Sequence, residues 1–270
     1  MATGHPSPSI DTSVAHPARR YNYWLGGKDN FEADRRSGDE LEKFFPTIRV
    51  MARQNRAFLK RAVRYLTADA GIRQFLDIGT GLPSADNTHE VAQRAAPESR
   101  ILYVDNDPIV MTHARALLNS SPGGRTEYLE ADLHRPDEIL NDPLLADTLD
   151  LTEPVALMLV AVLHFVHGDG KAQPLVEKLV GALPSGSYVV ATHATMDFSS
   201  AEQHAAYQQL LDTGRTDVWP RERTEFAALF HGLELVAPGL VPVGEWRPEP
   251  GAPTPDPRET GLWAAVGRKP

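Results

Sequence analysis

The sequence predicts an α/β protein built on a mostly parallel sheet with helices on both faces, and three observations carry that expectation. Short apolar runs recur at residues 75–78, 101–104, 126–129, 155–160 and 187–192. Helix-like segments separate them, the arrangement that parallel strands joined by crossover helices require. The last third changes character, because the β-like runs in "LELVAPGLVPVGEW" and "TGLWAAVGR" are separated by a proline-rich loop with no helix between them. Two strands joined that way pair antiparallel, so the sheet should close on an antiparallel end.

Residues 1–18 are rich in Pro, Ser, Thr and His without periodicity and are expected to form a flexible arm. Residues 19–71 read as a helical cover or lid. Aromatics surround Gly26-Gly27, then Phe58, Ala62, Tyr65 and Leu66 fall on one helical face and Gly71 ends the helix. Residues 72–270 carry the sheet.

With 270 residues, 41% of them hydrophobic, the chain can bury a sizeable core. A net charge of -9 argues against a nucleic-acid or anionic-membrane partner, since phosphate contact needs a basic surface. A small-molecule partner is expected instead. Cysteine is absent, which removes disulfides, thiolate zinc sites and thiol nucleophiles. No apolar run is long enough to span a bilayer, and the N-terminal stretch lacks the pattern of a secretory leader, so a cytoplasmic location is expected. The sequence does not specify the oligomeric state.

Ligands of an open α/β sheet sit beyond the carboxyl ends of its strands, and three acids fall there. Asp77 lies in the first strand, Asp105 ends the second in "ILYVDNDP", and Asp132 follows the third in "YLEADLHRP". Gly79 and Gly81 flank Thr80 in a turn whose missing side chains allow close backbone approach and leave amides exposed. A dinucleotide fingerprint would need a third glycine leading into a helix, but Ser84 stands there after Pro83. The next helix starts near Asn87, with Glu90 completing a capping box. Asp77 would repel a pyrophosphate and suits a ligand ammonium. Asp105 suits ribose hydroxyls, with Asn106 beside it, and Asp132 with Leu133 suits an adenine edge. Ammonium, ribose and adenine together point to S-adenosylmethionine as the cofactor.

"FLDIGTG", "YVDNDP" and "EADL", in this order, resemble the cofactor motifs of class I methyltransferases over about residues 72–267. "ARRYNYWLGGKDNFEADR" with "RQNRAFLKRAVRYL" resembles, more narrowly, the actinobacterial S-adenosyl methyltransferase family. The resemblance implies a Rossmann-like seven-stranded methyltransferase sheet with an antiparallel last strand. It also implies that Asp77, Gly79 and Gly81 line the methionine part, Asp105 the ribose, and Asp132 with Leu133 the adenine.

Methyl transfer from a sulfonium is an in-line displacement, and a base is required only for a protonated nucleophile. The end of the fourth strand reads Ala161-Val162-Leu163-His164-Phe165, where enzymes that methylate amino groups of nucleic-acid bases place an Asn or Asp, two prolines and an aromatic. Ala161 there is a candidate cofactor contact. His164 and His167 are the candidate catalytic bases, and His193 is a third. No metal site is expected, because these histidines lack the carboxylates and spacing of a ligand cluster. Tyr21 or Tyr23 would touch the cofactor if the cover folds over it, and Arg53 or Arg56 would reach its carboxylate. Two other readings use the same sheet: a non-catalytic S-adenosylmethionine-binding or interaction module, and an NAD-dependent oxidoreductase, which the missing third glycine and Asp77 disfavour.

Overall fold

A computed structural model of the chain describes residues 11–110, 112 and 120–270. Three helices come first, α1 (Pro17–Trp24), α2 (Glu32–Phe44) and α3 (Ile48–Ala68). Five parallel strands follow, β1 (Gln74–Ile78), β2 (Arg100–Asp105), β3 (Arg125–Glu130), β4 (Ala156–Val160) and β5 (Tyr188–Ala194). Helix α4 (Thr88–Ala95) follows β1 and starts where predicted, with Asn87 N–H donating to Glu90 Oε2 at 2.9 Å. With β6 (Glu234–Leu235) and β8 (Leu262–Arg268), the sheet order is β3-β2-β1-β4-β5-β8-β6. Chain direction along the sheet reverses between β1 and β4, and a crevice opens at such a switch point.

Strand β8 (Leu262–Arg268) runs antiparallel to β5, closing the sheet as expected. The sheet has eight strands instead of seven. The run before β8 is broken by the turn at Pro238-Gly239, where Gly239 N–H donates to Val236 O, into β6 (Glu234–Leu235) and β7 (Val241–Pro242). Both pair with β8.

The parallel strands β1 and β4 are buried along their whole length, and successive side chains serve opposite faces. Leu76, Ile78, Leu102 and Leu157 join one core cluster, while Phe75, Ile101, Tyr103 and Met158 join the other. Phe58, Ala62 and Leu66 of α3 belong to this second cluster. Helix α3 therefore packs on the sheet itself, and the expected boundary at residue 71 cuts through a shared core. The cover proper is α1 with α2, held by Trp24, Leu41 and Ile48 against Leu210.

The expected arm through residue 18 is corrected in its described part. Pro17 starts α1, where its missing N–H costs nothing, and His16 caps that helix. His16 N–H donates to buried Asp34 at 2.9 Å, and its ring sits 3.1 Å from Asp107, so the chain is tied down before α1 begins. Residues 1–10 lie outside the described residues. Among the described residues no helix is long and apolar enough to cross a membrane.

Candidate active site

Asp77 sits among apolar residues because it occupies an alternate position of β1, on the face covered by α3 and α4. There Thr88 Oγ1, on the first turn of α4, donates to its Oδ2 at 2.6 Å, and among the described residues Oδ1 has no hydrogen bond. Burial pushes its carboxyl up to about 6, partly opposed by the Thr88 hydrogen bond and the Arg56 charge. The group holds a half-finished hydrogen-bond shell at the edge of a cavity.

The glycine turn behaves differently from expectation. Gly79 and Thr80 N–H both donate to Val104 O, at 2.8 and 3.3 Å, and Gly81 N–H donates to Asp105 Oδ2 at 2.8 Å. These amides are spent on the protein, so the turn is no phosphate cradle and the NAD reading loses its anion site. What the turn supplies is proximity: Gly79 has φ +74°, and a Cβ there would lie 2.3 Å from Val162 Cγ2 across the crevice.

Asp105, at the tip of β2, is buried, and its Oδ1 accepts from Asp107 N–H at 2.9 Å. Burial raises its pKa. Asp132 Oδ1 is held by His134 through both the backbone N–H and Nδ1, at 2.9 Å each. Asp77, Thr80, Asp105, Asn106, Asp132, Leu133 and Ala161 all line one cavity of about 300 Å³ with the two glycines. That volume is at the small end for a small-molecule site. Arg56 lines it too, with Nη2 on Ala85 O and Asp86 O at 3.1 Å and a buried Nε that has no partner.

Several candidates fall elsewhere. Asn87 is not on the cavity wall: its Oδ1 accepts from Ser84 N–H at 3.1 Å and serves the start of α4. Tyr23 faces α2, where its hydroxyl donates to Asp39 at 2.7 Å, and Arg49 lies 4.6 Å from its ring centre; of these two tyrosines Tyr21 lies on the wall. Arg53 is off the wall as well. His167 is exposed, with Nε2 at 2.8 Å from Asp217 O. His193 is buried between Arg221, whose Nη1 donates to its Nε2 at 2.9 Å, and Ala194 O, to which Nδ1 donates at 2.8 Å.

Only His164 of the three histidines reaches the cavity. It is buried, and desolvation, with the charges of Arg221 and Arg20, pushes its pKa down to about 3. Near neutral pH it is an uncharged imidazole and a poor base, which corrects the expected role.

Sequence reasoning missed a buried relay that ties the cover to the strand tips. Ala161, at φ +58°, donates its N–H to Thr192 Oγ1 at 2.9 Å; Thr192 donates to Asn55 Oδ1 at 2.7 Å; Asn55 Nδ2 donates to Tyr21 Oη at 2.8 Å; and Tyr21 donates to Ala52 O at 3.0 Å. Every polar atom of Asn55 is used. Asn55→Ala strands the Thr192 hydroxyl and one lone pair of Tyr21 in a buried site, and about 2–3 kcal/mol of stability should be lost in urea denaturation. A loss under about 0.5 kcal/mol, the range of surface substitutions, would show that the relay holds nothing together.

A family model described as S-adenosyl methyltransferase matches residues 3–270. The chain belongs to that family. A DUF574 family protein from Streptomyces avermitilis MA-4680 is 46% identical, with a TM-score of 0.91, over 97% of this chain and 100% of its own. A candidate methyltransferase from Thermobifida fusca YX is 40% identical, with a TM-score of 0.87, over 98% of both chains. An O-methyltransferase family protein from Burkholderia thailandensis shares only the fold, at 16% identity and a TM-score of 0.52, covering 85% of this chain and 62% of its own. No curated protein matches the sequence.

As a member of the S-adenosyl methyltransferase family, the chain is an S-adenosylmethionine-dependent methyltransferase. The donor set fits that cofactor: an incompletely bonded carboxylate at Asp77, buried Asp105 and part-buried Asp132 surround one cavity.

Proposed function

We propose that the enzyme transfers the methyl group to a small-molecule acceptor bound in the same cavity, under the α1–α2 cover, and that it works in the cytoplasm. One observation carries the reading: the strand-tip carboxylates share a single cavity with apolar residues of the cover, Trp24 and Leu41 among them. Donor and acceptor sites are thus continuous. When bound, S-adenosylmethionine supplies an electrophilic methyl on a positively charged sulfur.

The residues divide the cofactor between them. Asp77 Oδ1 takes the ammonium and the Arg56 guanidinium the carboxylate. Asp105 takes the ribose hydroxyls, and Asp132 with the backbone of Leu133 takes the adenine edge. Gly79 and Gly81 let the cofactor lie against the backbone. Ala161, fixed by the relay through Thr192 and Asn55, sets the wall beside the methyl. The protein then works by alignment and exclusion of water, since His164 is too weakly basic to drive proton removal.

Calorimetry with S-adenosylhomocysteine at several pH values tests the assignment. The free Asp77 carboxyl, with its pKa of about 6, must ionise to meet an ammonium. Below that pH binding therefore releases a proton, and affinity rises about tenfold per pH unit up to about pH 6 before levelling. Asp77→Asn should flatten the profile. Unchanged affinity between pH 4.5 and 7 would remove Asp77 from the ammonium site. NAD should give no heat, and a binding isotherm with NAD would return the reading to the oxidoreductases.

A further inference from the structure

We propose that the acceptor is an apolar organic acid, whose ionised oxygen is held between Arg20 and His164 and is the atom methylated. The inference rests on the cofactor reading above and adds the chemistry of the second substrate.

Arg20 and His164 are each less than a tenth exposed, and both line the cavity. Arg20 uses Nη2 on the two Asp217 oxygens, at 2.5 Å each, and its Nε is enclosed without a partner. Among the described residues its Nη1 has no hydrogen-bond partner, and it is not enclosed. His164 shows the same pattern among the described residues: Nδ1 is enclosed and unpartnered, while Nε2 has no hydrogen bond and stays accessible. Two buried side chains therefore each keep one accessible unspent nitrogen, and the cavity is the space both share.

The segment after the helix Ala201–Asp212 joins them, since Asp217 holds Arg20 and Trp219 N–H donates to His164 O at 2.7 Å. Arg20 is near enough for its charge to help keep the imidazole neutral. A guanidinium and a neutral imidazole can both donate to an anion. They do not suit an ammonium, which the guanidinium repels and the imidazole cannot deprotonate.

The apolar part of the wall takes the body of the substrate, while Gln203, Arg258 and Glu259 line the same cavity elsewhere. Phe45, Met51, Phe165, Met196 and Val218 present apolar surface and would leave a multiply charged acceptor poorly solvated. A single ionised oxygen on an apolar frame satisfies both halves.

The step needs no base. A lone pair of the acceptor oxygen forms the new O–CH3 bond as the S–CH3 bond breaks, and that bonding pair stays on sulfur and cancels its positive charge. The oxygen's negative charge is consumed, no proton moves, and the product is a neutral ester or ether that no longer attracts Arg20.

The test uses the full chain saturated with S-adenosylhomocysteine and three probes with one apolar frame: 2-naphthoate, 2-naphthamide and 2-naphthylmethylammonium. Calorimetry should show the carboxylate binding at least about tenfold more tightly than the amide, with the cation weakest. Arg20→Gln should reduce that preference to about threefold or less and leave S-adenosylhomocysteine affinity within about twofold of wild type. Asp217→Asn, which frees the Arg20 charge, should raise naphthoate affinity; a purely structural ion pair would lower it. Equal binding of acid and amide, preference for the cation, or no probe binding by a protein that takes up S-adenosylhomocysteine overturns the proposal and leaves the cofactor reading standing. Failure to bind S-adenosylhomocysteine, seen before any probe is added, overturns both.

Discussion

Asp105→Ala is expected to weaken S-adenosylhomocysteine binding by about 100-fold to 1000-fold, about 3–4 kcal/mol. Two losses combine. The first is direct, because a buried carboxylate that accepts from two ribose hydroxyls makes charge-assisted bonds stronger than neutral ones. The second acts through the protein. Asp105 Oδ2 fixes Gly81 N–H at 2.8 Å and Oδ1 fixes Asp107 N–H at 2.9 Å, so alanine leaves both amides unpaired and releases the turn after β1. Asp105→Asn separates the two, since it keeps the shape and one acceptor but sets an NH2 against one of those N–H groups. Its loss should be intermediate. Asp132→Asn should cost about tenfold or less, because Asp132 is only part-buried and one oxygen is already committed to His134. Calorimetry on the three variants gives the order, and an Asp105→Asn protein binding within about threefold of wild type would take Asp105 out of the ribose site.

The parts of this site that were legible in the sequence are those governed by local rules. Asp77, Asp105 and Asp132 could be placed because strand ends are visible as the points where apolar runs stop, and the α4 cap because its signal spans three residues. The parts that were not legible come together only when α1 and α3 close on the sheet. Thr192 and Asn55 meet across a separation of 137 residues, and Arg20 and Asp217 across 197. Tyr21 and Tyr23 show the limit within one helix: two positions differ by about 200° around the axis, so only one can face the cavity. No pattern in α1 says which. The capping role of Asn87 was read correctly, but the same hydrogen bonds withdraw it from the cavity wall. The amides of the glycine turn were expected to await a ligand, and it took the position of Val104 O, on the neighbouring strand, to show them occupied.

Gly79→Ala should cost about 3 kcal/mol of stability and abolish cofactor binding, for two reasons that can be measured apart. A non-glycine residue at φ +74° carries a backbone penalty of about 1 kcal/mol whatever surrounds it. The new methyl would also lie 2.3 Å from Val162 Cγ2 and 2.6 Å from Val162 Cβ. Val162 is β-branched and follows Ala161, itself at positive φ and bonded to Thr192, so it cannot swing aside cheaply. Relief would have to come from parting the tips of β1 and β4, which widens the crevice where the methyl donor must sit. Gly81→Ala is the control. At φ +66° it bears the same backbone penalty, but its methyl would come no nearer than 3.9 Å to Ala18 Cβ, so about 1 kcal/mol should be lost. Adding Val162→Gly to Gly79→Ala removes the obstructing atoms, and the double mutant should lose less than the sum of the single losses by about 1–2 kcal/mol in urea denaturation. Strict additivity, or equal losses for the two glycine variants, would mean that β1 and β4 are not held against each other at this contact, and the cavity wall would then need another source of its rigidity.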